Sequence, residues 1–307
     1  MKTCLSLFYV VFAFFLAFSC GDTPKSSHGN DTPPPPQKIG LVLGGGGAKG
    51  NASLGALKVI EESGIKIDYI AGTSIGAIIG ALYAAGYSVD EIEDLFCMMK
   101  WTDLLRGKRM EEKFDELLSD RGVYNFKDLK IPFRCVAVNV NTGKDEVFAK
   151  GEVYKAIRAS MSIPPVYTPV EVNGEEYVDG GFINNLPVDV VKAMGAVFVI
   201  ARDVQQEKEE TDFQNLAEKM NSRHQDDSFA NFIGDVFGKE YEFMVNYFKY
   251  RPDTIKYNKN KREVDLYINP DLTNFNAASF GRNNSRLMFD RGEDEARKYI
   301  KELRKLK

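Results

Sequence analysis

The chain has 307 residues, 44% of them hydrophobic and 12% aromatic, a composition that can fill a sizeable core and is unlike that of a disordered or collagen-like chain. Forty basic and 44 acidic side chains leave a net charge of −4, which argues against a nucleic-acid partner and against strong electrostatic capture by anionic lipid. With two histidines, four cysteines and no CxxC spacing, the sequence offers no metal-ligand cluster.

Lys2 precedes an apolar run over residues 5–18, too short for a comfortable membrane span but suited to a signal peptide over residues 1–19. The run ends in Leu16-Ala17-Phe18-Ser19-Cys20, which resembles a bacterial lipobox in which Cys20 is lipidated. The stretch 20–38, with Pro33-Pro34-Pro35-Pro36, reads as a disordered and partly extended tether. Further on, Cys97 and Cys135 are too isolated to pair and read as semi-buried apolar positions.

Apolar runs at residues 39–43, 67–71, 133–140 and 196–201 predict buried strands, interleaved with helical patterns at 54–62, 75–85, 153–159 and 188–194. That alternation predicts an α/β core with a largely parallel central sheet. Asn173-Gly174, flanked by short alternating runs, predicts a hairpin that delivers Asp179 at a strand end.

Ser74 lies in GTSIG, Gly72 to Gly76, directly after an apolar run, as a nucleophile does on a strained strand-to-helix turn; flanking glycines leave room that side chains would deny. Upstream, the bare amides of Gly45, Gly46 and Gly47, ahead of Ala48-Lys49-Gly50, are expected to stabilise an oxyanion. A serine needs a base. His28 falls in a Ser/Asn/Pro-rich stretch and His224 in a polar run, so Asp179, followed by Gly180 and Gly181, is the expected base. The run 45–50 also fits GxGxxG, but no acidic ribose ligand closes a second strand, and Lys49-Gly50 departs from a P-loop. Asn184 and Asn185, before Pro187, are expected to cap and lead into the next helix, without a chemical role.

GGGAKG, GTSIG and DGG, in this order, resemble the patatin-like phospholipases, and Ala159-Ser160-Met161-Ser162-Ile163-Pro164-Pro165-Val166 is similar to that family's helix end and Pro-containing loop. The likeness covers residues 38–204, with 265–272 and the final helix resembling the last strand and helix of bacterial members; 205–261 match no known pattern. It implies a patatin-like three-layer α/β/α fold and a serine–aspartate dyad that hydrolyses lipid acyl esters without metal or organic cofactor. Ser74 matches the nucleophile, Asp179 the base, Gly46 and Gly47 the oxyanion amides, and Lys49 a position where the family has Arg or Lys. Gly44 departs from the residue, often Asp, that many members carry there.

The expected organisation is a signal peptide (1–19), a lipidated cysteine and linker (20–38), a patatin-like phospholipase domain (39–204), and a C-terminal helical extension whose final strand and helix pack on the core (205–307). The expected function is that of a lipid-anchored phospholipase or esterase of the bacterial envelope, at the outer rather than the inner membrane, with phospholipid or another acyl ester as substrate. Two alternatives stay open: an α/β-hydrolase triad of Ser74, Asp179 and His224, and a non-catalytic envelope lipoprotein. Apolar stripes over residues 92–105 and 229–248 read as core, or else as a lid or mouth for acyl chains.

Overall fold

The computed structural model describes residues 37–99, 109–163, 167–206, 253–277 and 279–307. Its first strand, β1 (Ile39–Leu43), is buried at every position. It lies between two parallel partners, β2 (Tyr69–Thr73) on one side and β7 (Phe198–Arg202) on the other. A strand apolar on both faces has to be covered on both, and it is. Ile39, Leu41 and Leu43 face the core beneath α1 (Gly50–Ser63) and α2 (Ile75–Ala85). Val42 packs with Val199, Ala201 and the valines of α6 (Val188–Ala193) on the other side. The result is a three-layer α/β/α arrangement around a mostly parallel sheet.

The remaining helices before the hairpin are α3 (Val89–Met98), α4 (Arg109–Ser119) and α5 (Val153–Ser160). The sheet is completed by β3 (Phe133–Asn139), β4 (Asp145–Phe148), β5 (Val170–Val172), β6 (Glu175–Asp179) and β8 (Leu266–Ile268), in the order β5-β6-β3-β2-β1-β7-β8, with β4 also paired to β3. The middle is parallel and the β3, β4, β5 and β6 end antiparallel. The expected hairpin turns at Asn173 and Gly174, with φ of 55° and 83°.

Three elements begin two or more residues from where the sequence put them: β7 starts at Phe198 rather than at 196, and β2 and α1 shift as well. β2 runs from Tyr69 to Thr73 rather than over 67–71. Asp68, just before it, turns its carboxylate onto the Ile39 amide at 3.0 Å and the Lys38 ammonium at 3.2 Å, so the apolar Ile67 is buried in the preceding loop. α1 begins at Gly50, four residues early, because tertiary packing of the Gly50–Ser53 turn overrides its poor helix propensity.

The C-terminal part is built into the core. After α7 (Asp253–Arg262), β8 extends the sheet beside β7, and α8 (Arg282–Arg297) and α9 (Ile300–Leu303) follow. α8 meets α1 backbone to backbone: a Cβ on Gly55 would sit 2.0 Å from the Phe289 carbonyl oxygen, and one on Gly292 1.9 Å from that of Ala52. Only glycine fits either position. Of the two cysteines expected to be semi-buried, Cys97 is exposed on α3 and Cys135 is fully buried in β3; neither is bonded.

Candidate active site

β2 and β6 approach β3 from opposite directions and stop at consecutive residues of it, Thr73 opposite Val136 and Asp179 opposite Ala137. The last residues of the two strands are thereby brought together, and the next residue after Thr73 is Ser74. Ser74 caps α2 with φ 55° and ψ −124°, and is 6% exposed. A non-glycine residue held there stores about 1–3 kcal/mol of strain, which the surrounding turn must over-determine. The turn does so by close contact. A Cβ on Gly72 would lie 2.5 Å from the Gly76 carbonyl oxygen, and one on Gly76 2.1 Å from that of Leu43.

Asp179 closes β6 and is 2% exposed. Its Oδ1 accepts from the Gly181 amide at 2.7 Å, while Oδ2 is buried with no hydrogen-bond partner among the described residues. Burial pushes the carboxyl up to about 7, against the opposing pull of the Ser74 hydroxyl and the Gly181 amide. A carboxylate in this state is a far better proton acceptor than a solvated aspartate.

The glycine loop lies over the serine: a Cβ on Gly45 would come within 3.0 Å of the Ser74 Cβ. Of the three amides expected to face an oxyanion, that of Gly45 is committed elsewhere, donating to the Asn185 carbonyl at 3.3 Å. The amides of Gly46 and Gly47 have no acceptor among the described residues. Lys49 is 3% exposed, in the single turn that leads into α1, and Gly50 packs against Ile75.

Two supports of this loop were not foreseen. Asn185 does not cap a helix; Pro187 is the N-cap of α6, without a side-chain bond, and Asn185 Nδ2 instead donates to the Gly45 carbonyl at 3.2 Å. Asn184 likewise turns inward, its Nδ2 donating to Asp189 at 3.0 Å and its carbonyl accepting from Thr73 Oγ1 at 2.8 Å. From the far end of the chain, the Ala277 carbonyl accepts from the Ala48 amide at 2.9 Å. That contact is made by backbone alone, so no side chain signals it in the sequence. His28, His224, Cys20 and the stripe 229–248 lie outside the described residues, as do residues 100–105 of the other stripe.

A serine on a strained elbow, a buried carboxylate at the facing strand end and a glycine loop above them lie together on an α/β/α fold. The comparisons give the family. Residues 41–192 match the model described as Patatin-like phospholipase, and the chain belongs to that family. It is 37% identical over 202 residues to the rat (Rattus norvegicus) protein named patatin-like phospholipase domain-containing protein 7, covering 59% of this chain and 14% of that one. It is 35% identical over 184 residues to lysophospholipase NTE1 of Saccharomyces cerevisiae, covering 55% and 11%. The match thus spans only a small part of the length of these relatives. In fold it is similar to the ExoU–SpcU complex structure from Pseudomonas aeruginosa, with a TM-score of 0.51 at 15% identity, covering 88% of this chain and 52% of that one.

Proposed function

We propose that this chain is a serine acyl hydrolase of lipid esters, with Ser74 as nucleophile and Asp179 as its base. The observation that carries the reading is the buried Asp179 carboxylate beside Ser74, raised to about 7 and with one oxygen unpartnered among the described residues. Ser74 Oγ attacks the ester carbonyl while Asp179 takes its proton, and the amides of Gly46 and Gly47 bind the developing oxyanion. The alcohol leaves with the proton from Asp179. Water then attacks the acyl-serine, with the same carboxylate as base. Membership of the patatin-like phospholipases supports a phospholipid or lysophospholipid as substrate, in line with the printed names of the relatives. The mechanism calls on no metal or organic cofactor.

Ser74→Ala and Asp179→Asn are each expected to abolish turnover of a phospholipid and short-ester panel in folded protein, and the double variant to lose no more than either alone. A fluorophosphonate is expected to label Ser74. His224→Ala is expected to keep most activity, because His224 falls in a polar run outside every motif; loss of a true general base would cost about a hundredfold or more, so the two outcomes are well separated. A dead His224→Ala would move the triad ahead.

The Ser19-Cys20 junction supports a lipid anchor that tethers this domain to the bacterial envelope. Cys20→Ala is then expected to release the protein from the membrane fraction; mass spectrometry of an unmodified Cys20 in the wild type would overturn the anchor.

A further inference from the structure

At the end of α5 the chain makes one turn that touches the backbone of both reacting residues. The Ser160 hydroxyl accepts from the Ser74 amide at 2.9 Å and donates to the Val136 carbonyl at 2.6 Å. Two residues on, the Ser162 carbonyl accepts from the Asp179 amide at 2.9 Å. Both serines are fully buried. We infer that this turn is a positioning device for the reaction, in which Ser160 fixes the backbone of Ser74 and Ser162 that of Asp179; the inference rests on the dyad reading above.

The local geometry requires such a device. The parallel ladder between β2 and β3 ends at Thr73 opposite Val136, because beyond it the chain bends into the elbow at Ser74. The Ser74 amide and the Val136 carbonyl, which would have continued the ladder, are left to find other partners in a dry site. Unmet, each buried group costs about 1–3 kcal/mol. A single hydroxyl, donor and acceptor at once, bridges them. It thereby pins the amide of a residue whose φ of 55° would otherwise relax. Neither alanine nor glycine can do this, and the hydroxyl is too far inside the fold to serve as a surface cap.

Ser162 is itself held fast. Its hydroxyl donates to the Arg158 carbonyl at 2.7 Å and accepts from Arg158 Nη1. Arg158 in turn stacks over Tyr167, 5.0 Å from the ring centroid, with Nε 3.8 Å from Glu111. The turn that ends α5, Ser160 to Ser162, therefore sets the distance between nucleophile and base, although neither residue belongs to it.

The test compares Ser160→Ala with Ser160→Thr, which keeps the hydroxyl, in the full chain. A misplaced nucleophile costs about a hundredfold. Ser160→Ala is expected to lower kcat and the rate of fluorophosphonate labelling at Ser74 by about that factor with KM unchanged, and Ser160→Thr to recover most of it. If Ser160→Ala does not fold, Ser160→Cys, of similar shape but a weak hydrogen-bonder, takes its place. Wild-type labelling in a folded Ser160→Ala, or a loss that Ser160→Thr does not repair, overturns the inference and leaves the dyad standing. No labelling of Ser74 in the wild type overturns the dyad instead. Hydrogen exchange at the Ser74 amide then decides the clamp without reference to chemistry: faster exchange in Ser160→Ala upholds it, and unchanged exchange overturns it.

Discussion

Asn185 and Gly45 are joined twice: the Gly45 amide donates to the Asn185 carbonyl at 3.3 Å, and Asn185 Nδ2 donates back to the Gly45 carbonyl at 3.2 Å. The two residues are 140 positions apart in the chain, and their pairing ties the glycine loop to the segment that follows Asp179. The loop cannot drift from Ser74 without breaking both bonds. Because Gly45 spends its amide here, the free donors fall to Gly46 and Gly47.

Asn185→Ala removes one of the two bonds and leaves a buried carbonyl with no donor, at a cost of about 1–3 kcal/mol. We expect kcat to fall by roughly tenfold with a smaller effect on KM, because the oxyanion donors act on the transition state and the loop that carries them is loosened. Asn185→Asp should be worse than alanine, since it sets a carboxylate against the Gly45 carbonyl. Steady-state kinetics on both variants, with circular dichroism to establish folding, checks this; an Asp variant as active as the wild type would refute it.

Asp179 predicts a pH dependence of both rate and stability. Its folded value, raised by burial to about 7, lies above the ordinary value of 3.8. The base must be ionised, so the rate is expected to climb through an acid limb near that value. The folded state also holds this proton more tightly than the unfolded chain, so stability from this group is present below the unfolded value and is lost as pH rises toward the folded one. Asp179→Asn should therefore stabilise the protein above about pH 7, by up to about 4 kcal/mol, and have little effect near pH 4. Denaturant melts of both proteins at the two pH values measure it.

Arg202 is fully buried, and none of its guanidinium nitrogens has a hydrogen-bond partner among the described residues. Burial lowers its pKa to about 9, with Asp203 opposing. A buried charge without a partner is a cost that a shape-matched apolar side chain avoids. Arg202→Met is expected to raise the thermal midpoint by several degrees at neutral pH. The penalty is present below the folded value and is relieved as pH rises through it, so the advantage of methionine should shrink in alkali. Equal or lower stability of the variant at neutral pH would show that the guanidinium is partnered in solution.

Gly76→Ala places a methyl 2.1 Å from the Leu43 carbonyl oxygen, a backbone atom that cannot step aside. The expected result is a loss of at least about 3 kcal/mol or failure to fold, since overpacking forces the sheet and α2 apart. A variant that folds with wild-type stability would mean that the elbow is looser than its contacts imply.

Elements whose signal is local were legible in the residues alone. β1 and α2 have the bounds that their hydrophobic runs predicted, and the Asn173-Gly174 turn followed from its two residues, because strand pattern and turn chemistry are read over a few positions. The family was legible from three short motifs whose glycines mark close backbone approach. Tertiary structure decided what those motifs meet. That Thr73 and Asp179 stop at adjacent residues of β3, that Asn185 and not a helix cap is the partner of Gly45, and that Ala277 buttresses Ala48 all depend on contacts across scores of residues. Several are made by backbone atoms, which every residue carries, so no pattern of side chains encodes them. Burial did the rest: an aspartate in a sequence is an acid of ordinary strength, and only the fold that excludes water from Asp179 raises its carboxyl to about 7, as the proposed base requires.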